Sequence, residues 1–185
     1  MKIEIISGSP RINSVTHRVA LHLQSLLVEK AEHEAGVIDL REHNLPPIQT
    51  VFTSVETTPD EYKETSRRML EADAFILVTP EYNGSYSSAL KNLLDHFPKQ
   101  HRKPFGIVTA SPGAMGGIRA AMQLQQLIFA LFGIGSPYML VVPAVDKKFD
   151  AKGNLTDNTF AKSVEVFLNE YLWLAEKLVE EKVEA

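Results

Sequence analysis

Ala74-Phe75-Ile76-Leu77-Val78-Thr79-Pro80 decides the reading of the fold. A run that is apolar almost throughout, rich in β-branched residues and closed by proline, predicts a strand buried on both faces. Strands of that kind lie inside parallel sheets covered by helices on either side. Before it, Ile3, Ile5 and Ile6 stop at Ser7-Gly8-Ser9-Pro10 and predict a first strand. From Ser14 to about Glu34, Val19, Leu23, Leu26, Leu27 and Lys30 recur near the helical period, Gly36 ends that helix, and Val37-Ile38-Asp39-Leu40 is a second strand. Arg41 to Asp60, with Pro46, Pro47 and Pro59, reads as a long irregular connection, followed by a helix from about Pro59 to Ala72.

After Pro80 the alternation repeats. A helix is expected over about Ser87–Phe97, a strand over Phe105–Ala110, a helix over about Gly117–Phe132 and a strand over Tyr138–Val142. Lys147 to Asn158 is a polar turn, and Thr156 to about Lys182 a closing helix whose buried face is read as Leu168, Tyr171, Leu172, Trp173, Ala175 and Leu178. Strands separated by helices pair in parallel through crossovers, so the chain is expected to form one doubly wound α/β domain over residues 1–185.

Composition excludes several function classes. A formal net charge of -4 gives no basic footprint for nucleic acid, and Arg67-Arg68 and Lys147-Lys148 read as solvated surface. The chain has no cysteine, which removes thiol nucleophiles and thiolate metal sites, so redox chemistry would need a cofactor. The six histidines are scattered without ligand-like spacing, most of them read as surface residues, and no metal site is expected. His96 is read as a packing or interface residue. Met1 to Ile6 is too short and too charged for a signal-peptide core, no apolar run is long enough to cross a bilayer, and a cytoplasmic location is the default.

In open parallel sheets ligands bind beyond the carboxyl ends of the strands, so three loops matter. Ser7-Gly8-Ser9-Pro10-Arg11-Ile12-Asn13-Ser14-Val15-Thr16 sets hydroxyls and an arginine at the start of a helix, an arrangement suited to a phosphate. It matches neither the Walker pattern nor G-x-G-x-x-G, and helix capping by Asn13 or Ser14 explains part of it equally well. Pro80-Glu81-Tyr82-Asn83-Gly84-Ser85 places an aromatic ring and an Asn-Gly turn where a planar ligand could lie. Ser111-Pro112-Gly113-Ala114-Met115-Gly116-Gly117 has more glycine than a helix start requires, which suits either a close backbone approach or a flexible connection.

Together these loops resemble the NADPH-dependent FMN reductase family of flavin, quinone, azo and chromate reductases. Gly8-Ser9-Pro10-Arg11 with Ser14 and Thr16 is similar to its G-S-x-R-x-x-S-x-N loop, and Pro80-Glu81-Tyr82-Asn83-Gly84-Ser85 to its P-E-Y-N-x-S loop. Leu90-Lys91-Asn92, Asp95 and Gly116-Gly117-x-Arg119-Ala120 continue the match. The resemblance implies a flavodoxin-like five-stranded sheet of order 2-1-3-4-5 with helices on both faces. It also implies noncovalent FMN, with the phosphate on Ser9, Arg11, Ser14 and Thr16. Pro80, Glu81, Tyr82, Asn83 and Gly84 would lie on one side of the ring and Ser111, Gly113 and Gly116 on the other. The implied activity takes hydride from NADPH or NADH and passes electrons to a small acceptor, with the flavin carrying the chemistry and no catalytic side chain assigned. A homodimer or homotetramer is implied as well. Thr16 in place of asparagine, and Ser87-Ser88 in place of Pro-Gly, depart from the family pattern. The alternatives are a flavodoxin-type electron carrier, for which the charge is modest, and a phosphate-binding module without flavin.

Overall fold

The computed structural model describes residues 1–29, 33–43 and 45–184. Its centre is β3, Ala74–Thr79, in which every residue is buried. On one side of β3 lie β1 (Lys2–Ser7) and then β2 (Glu34–Asp39), and on the other β4 (Pro104–Ser111), all parallel. The order β2-β1-β3-β4-β5 is that of the flavodoxin-like fold. The fifth position is shared by two short strands. β5 (Ile134–Gly135) pairs with Pro104–Phe105 and β6 (Leu140–Pro143) pairs with Val108–Ser111, so the expected strand over Tyr138–Val142 is the second half of an interrupted one.

α1 (Thr16–Glu29) and α6 (Ala161–Glu184) cover one face of the sheet, where Val19, Leu23 and Leu27 meet Phe167 and Tyr171 over Ile5, Ile76 and Val108. α2 (Lys63–Glu71), α3 (Ser88–Asp95) and α4 (Ile118–Ala130) cover the other, with Met69, Leu90, Leu94, Leu124 and Ile128 over Ile6, Phe75 and Leu77. A short helix, α5 (Val145–Lys148), follows β6.

Several sequence expectations are corrected. α1 ends at Glu29, and Glu34 and Gly36 belong to β2, so Gly36 does not stop the helix. Lys30 lies outside the described residues. A Cβ on Gly36 would fall 2.6 Å from Arg68 Nη2 and 2.7 Å from Glu4 Oε2, so glycine leaves room for that ion pair. Arg68 is therefore no free surface charge, since its Nε donates to Glu4 Oε1 at 2.8 Å, and Lys148 pairs with Asp157 at 2.8 Å. Trp173 is 61% exposed, while Tyr171, Leu172 and Ala175 are buried as expected. Phe132, expected as the last residue of a helix, lies beyond α4, is exposed and stacks on His101. His17, His22, His43 and His96 are not surface residues, and His96 packs against Phe52 with its Nδ1 hydrogen-bonded to the Asn92 carbonyl.

Candidate functional site

The loop after β1 is held by its own backbone. Gly8 N donates to the Val78 carbonyl at 2.7 Å, and a Cβ on Gly8 would stand 3.0 Å from that oxygen and 3.3 Å from Leu90 Cβ, so glycine lets the loop lie close against β3 without crowding it. Ser14 Oγ accepts the His17 amide at 3.2 Å, the capping bond foreseen as an alternative to phosphate binding. The capping oxygen keeps its hydroxyl proton free for a ligand. Ser9 and Thr16 are buried, and both line a cavity of about 160 Å³ with Arg11, Ser14, Pro80–Tyr82 and Ser111. Hydroxyls, a guanidinium and the amino end of α1 around one small cavity are the donors that would suit an anion. The Arg11 guanidinium sits 4.7 Å from the centre of the Tyr82 ring, and Tyr82 Oη is buried without a hydrogen-bond partner.

In the second loop Tyr82 and Ser85 exchange backbone hydrogen bonds of 2.8 and 3.1 Å around Asn83 (φ 51°) and Gly84 (φ 83°). Two positive φ angles in succession make a tight two-residue hairpin, for which Asn-Gly is the favoured pair. Asn83 is exposed at its tip, whereas Pro80, Glu81 and Tyr82 line the cavity. In the third loop Ser111 Oγ accepts the Gly113 amide at 2.9 Å. Gly113 is exposed, but Gly116 is buried with φ 59°, and a Cβ there would meet Val141 Cγ1 at 2.7 Å and Pro143 N at 2.8 Å. The glycines of this loop thus serve different ends, Gly116 the packing of the loop on β6 and Gly113 an open edge.

Residues not assigned to the site by sequence fix this arrangement from behind. Ser87 is buried, caps α3 by accepting the Leu90 amide at 3.1 Å, and donates its hydroxyl to the Gly8 carbonyl. It thereby joins the first loop to the helix after the second. Asp39, at the end of β2, holds Arg41 in a two-pronged contact, and Arg41 Nη1 donates to the Ile12 carbonyl at 3.3 Å. Burial opposes ionisation of Asp39, but the hydrogen bonds and charge of Arg41 outweigh it and hold the carboxyl below its ordinary range. His17 Nδ1 lies 2.9 Å from Ser7 Oγ and 3.5 Å from Asp39 Oδ2. Both neighbours meet the same ring nitrogen, so serine, histidine and aspartate here cannot relay a proton as a hydrolytic triad does. Burial lowers the His17 pKa and favours the neutral ring. The capping pattern at Ser87 was readable in sequence; the Asp39–Arg41 tie was not.

Residues 1–147 match the family described as NADPH-dependent FMN reductase. The chain belongs to that family. An FMN-dependent NADPH-azoreductase of Staphylococcus aureus is 32% identical over 179 residues, covering 92% of this chain and 93% of its own length. Among solved structures, FerB, a flavoenzyme NAD(P)H:(acceptor) oxidoreductase of Paracoccus denitrificans, has a TM-score of 0.78 at 24% identity, over 95% of this chain and 97% of that one. A mutant flavodoxin from Pseudomonas aeruginosa has a TM-score of 0.54 at 24% identity, with 97% of each chain covered. These two likenesses speak to the fold. As a member of the NADPH-dependent FMN reductase family, the protein is an FMN-dependent oxidoreductase that takes hydride from NAD(P)H and passes electrons to a small acceptor. The residues present fit FMN: the hydroxyls, Arg11 and the amino end of α1 around the cavity suit its phosphate, and residues of the second and third loops line the same cavity.

Proposed function

We propose that Ser9, Arg11, Ser14 and Thr16 hold the FMN phosphate, and that the 80–84 hairpin and the 111–116 loop take the isoalloxazine between them. The observation that carries this reading is one cavity lined by the buried Ser9 and Thr16, by Arg11 and Ser14, and by Tyr82, whose ring lies against the Arg11 guanidinium. FMN, when bound, supplies the hydride and electron chemistry. The chain's own part is to neutralise the phosphate with Arg11 and the α1 amino terminus, to orient the ring by backbone amides, and to keep one edge open at exposed Gly113 and Asn83. A face open to solvent suits flat acceptors such as azo compounds and quinones, and the azoreductase relative supports that class.

The whole chain acts as one domain, a reading supported by the single sheet that all strands among the described residues share. No helix among the described residues is long and apolar enough to cross a membrane, and a cytoplasmic enzyme would meet its nicotinamide donor there. The oligomer is a homodimer formed through α4. Met122 and Phe129 are exposed two turns apart on one face, and exposed Met115 extends the stripe into the third loop beside the cofactor site. FMN titration followed by anaerobic NADPH tests the core of the proposal: bound flavin bleached by NADPH and reoxidised by an azo dye or quinone is expected. Arg11→Ala should weaken FMN binding with the fold intact, and unchanged affinity would overturn the phosphate assignment.

A further inference from the structure

Glu81 belongs to the second loop, yet its carboxylate is directed at the start of α4. Oε2 accepts the backbone amides of Arg119 at 3.0 Å and Ala120 at 3.4 Å, and Oε1 meets Arg119 Nη1 at 3.3 Å. These are the second and third amides of α4, the ones that a side chain at the preceding N-cap position ordinarily satisfies. The N-cap residue here is Gly117, which has no side chain to offer. It cannot readily be replaced by a capping serine or aspartate, because its φ is 89° and a Cβ would stand 3.0 Å from Thr109 Cβ. The helix therefore starts without a cap of its own and receives one from a loop 38 positions earlier in the chain.

We propose that Glu81 is a positioning residue for the flavin: it caps α4 from the neighbouring loop, fixes the spacing of the two loops that flank the ring, and offsets the positive end of the α4 dipole beside it. The proposal rests on the FMN site described above. Two consequences separate its parts. Geometry needs only an acceptor oxygen, which glutamine also has. The electrostatic part needs the negative charge, because a carboxylate near the ring opposes the negative charge that reduction adds, and its removal makes reduction easier.

The test compares wild type, Glu81→Gln and Glu81→Ala as full-length proteins. Three readouts are taken: hydrogen exchange of the Arg119 and Ala120 amides without cofactor, FMN affinity from flavin fluorescence quenching, and the midpoint potential of the bound flavin. Loss of a cap is expected to speed exchange at those two amides and to weaken FMN binding by about tenfold each in Glu81→Ala. Glu81→Gln should restore both to near wild type while raising the potential. Wild-type exchange and affinity in Glu81→Ala would overturn the positioning role, and an unchanged potential in Glu81→Gln would overturn the electrostatic one. If Glu81→Ala does not fold, the potential of Glu81→Gln still decides. Failure of wild type to bind FMN, with exchange at α4 responding as expected, would sink the flavin-site reading and leave Glu81 a cap alone, which also overturns its role toward the flavin.

Discussion

Replacing Gly116 by alanine should cost far more than replacing Gly113, although the two share one glycine-rich loop. At Gly116 the φ of 59° is strained for any residue with a Cβ, and the added atom would press on Val141 Cγ1 at 2.7 Å, Pro143 N at 2.8 Å and Val142 C at 3.0 Å. Two of those three contacts are backbone atoms of β6, which cannot turn aside as a flexible side chain can. Strain in the left-handed region costs about 1–3 kcal/mol and overpacking about 1–3 kcal/mol, so Gly116→Ala should lose at least about 2 kcal/mol. In a domain of this size that is a fall in Tm of at least about 4 °C. At Gly113 a Cβ would meet only Ser111 Oγ, at 3.2 Å, and the cost in stability should stay within about 0.5 kcal/mol. FMN affinity should show the other order of cause: Gly113→Ala weakens it directly by crowding the open edge, without a change in Tm. Thermal unfolding without cofactor, paired with fluorescence titration of FMN, reads both. Equal Tm values for wild type and Gly116→Ala would refute the packing argument. A Tm loss in Gly113→Ala as large as that in Gly116→Ala would refute the division of labour.

Ser87→Ala removes both the α3 cap and the donor to the buried Gly8 carbonyl, and should cost about 2 kcal/mol or more by thermal or urea unfolding while loosening FMN binding; a neutral variant would show that the first loop does not depend on this tie. Stability without cofactor should decline in acid in a definite order. Burial lowers the pKa of His17 and of His22 from 6.5, so the contribution of each neutral ring is complete above that value and is lost as pH falls through the depressed folded value. Asp39, depressed below 3.8, follows the same sign at lower pH, and Tm measured from pH 8 to 3 should therefore begin to fall below about pH 6.5. A Tm that rises on acidification across that window would contradict the burial of the two histidines. Phe129→Glu should convert a dimer to a monomer in sedimentation without lowering monomer stability, because the side chain is 77% exposed; an unchanged sedimentation coefficient would remove α4 as the interface.

The centre of the sheet was legible in sequence and its edges were less so, for a physical reason. β3 is buried on both faces, so nearly every residue in it had to be apolar, and its ends at Ala74 and Thr79 follow from the residue types alone. β2 is an edge strand whose first residues, Glu34-Ala35-Gly36, are only partly buried or exposed, and nothing in them distinguishes a strand from the tail of a helix. Gly36 is explained only by a contact between Glu4 and Arg68, which are 64 residues apart. Trp173 shows the converse error. Its type suggested burial, yet in α6 it lies about 200° around the axis from Tyr171, off the face set by Val164, Phe167, Leu168, Tyr171, Leu172 and Ala175. Periodicity was the better guide than hydrophobicity.

The site divides along the same line. Contacts within one loop could be read in sequence order: the Ser14 cap, the Asn83-Gly84 turn and the hydroxyls before α1 each join residues at most a few positions apart. What holds the loops to one another could not. Ser87 reaches Gly8 across 79 positions, Arg41 reaches Ile12 across 29, and Glu81 reaches α4 across 38. Those ties span separate strand ends, and the parallel topology alone brings them together. A motif such as Pro-Glu-Tyr-Asn therefore records two kinds of requirement in adjacent letters. Tyr82 lines the cavity with its ring against Arg11, while Glu81, which lines it as well, gives its carboxylate to the start of α4. The Glu81 carboxylate is thus committed to two amides and a guanidinium of α4, a contact that the order of letters in the motif does not show.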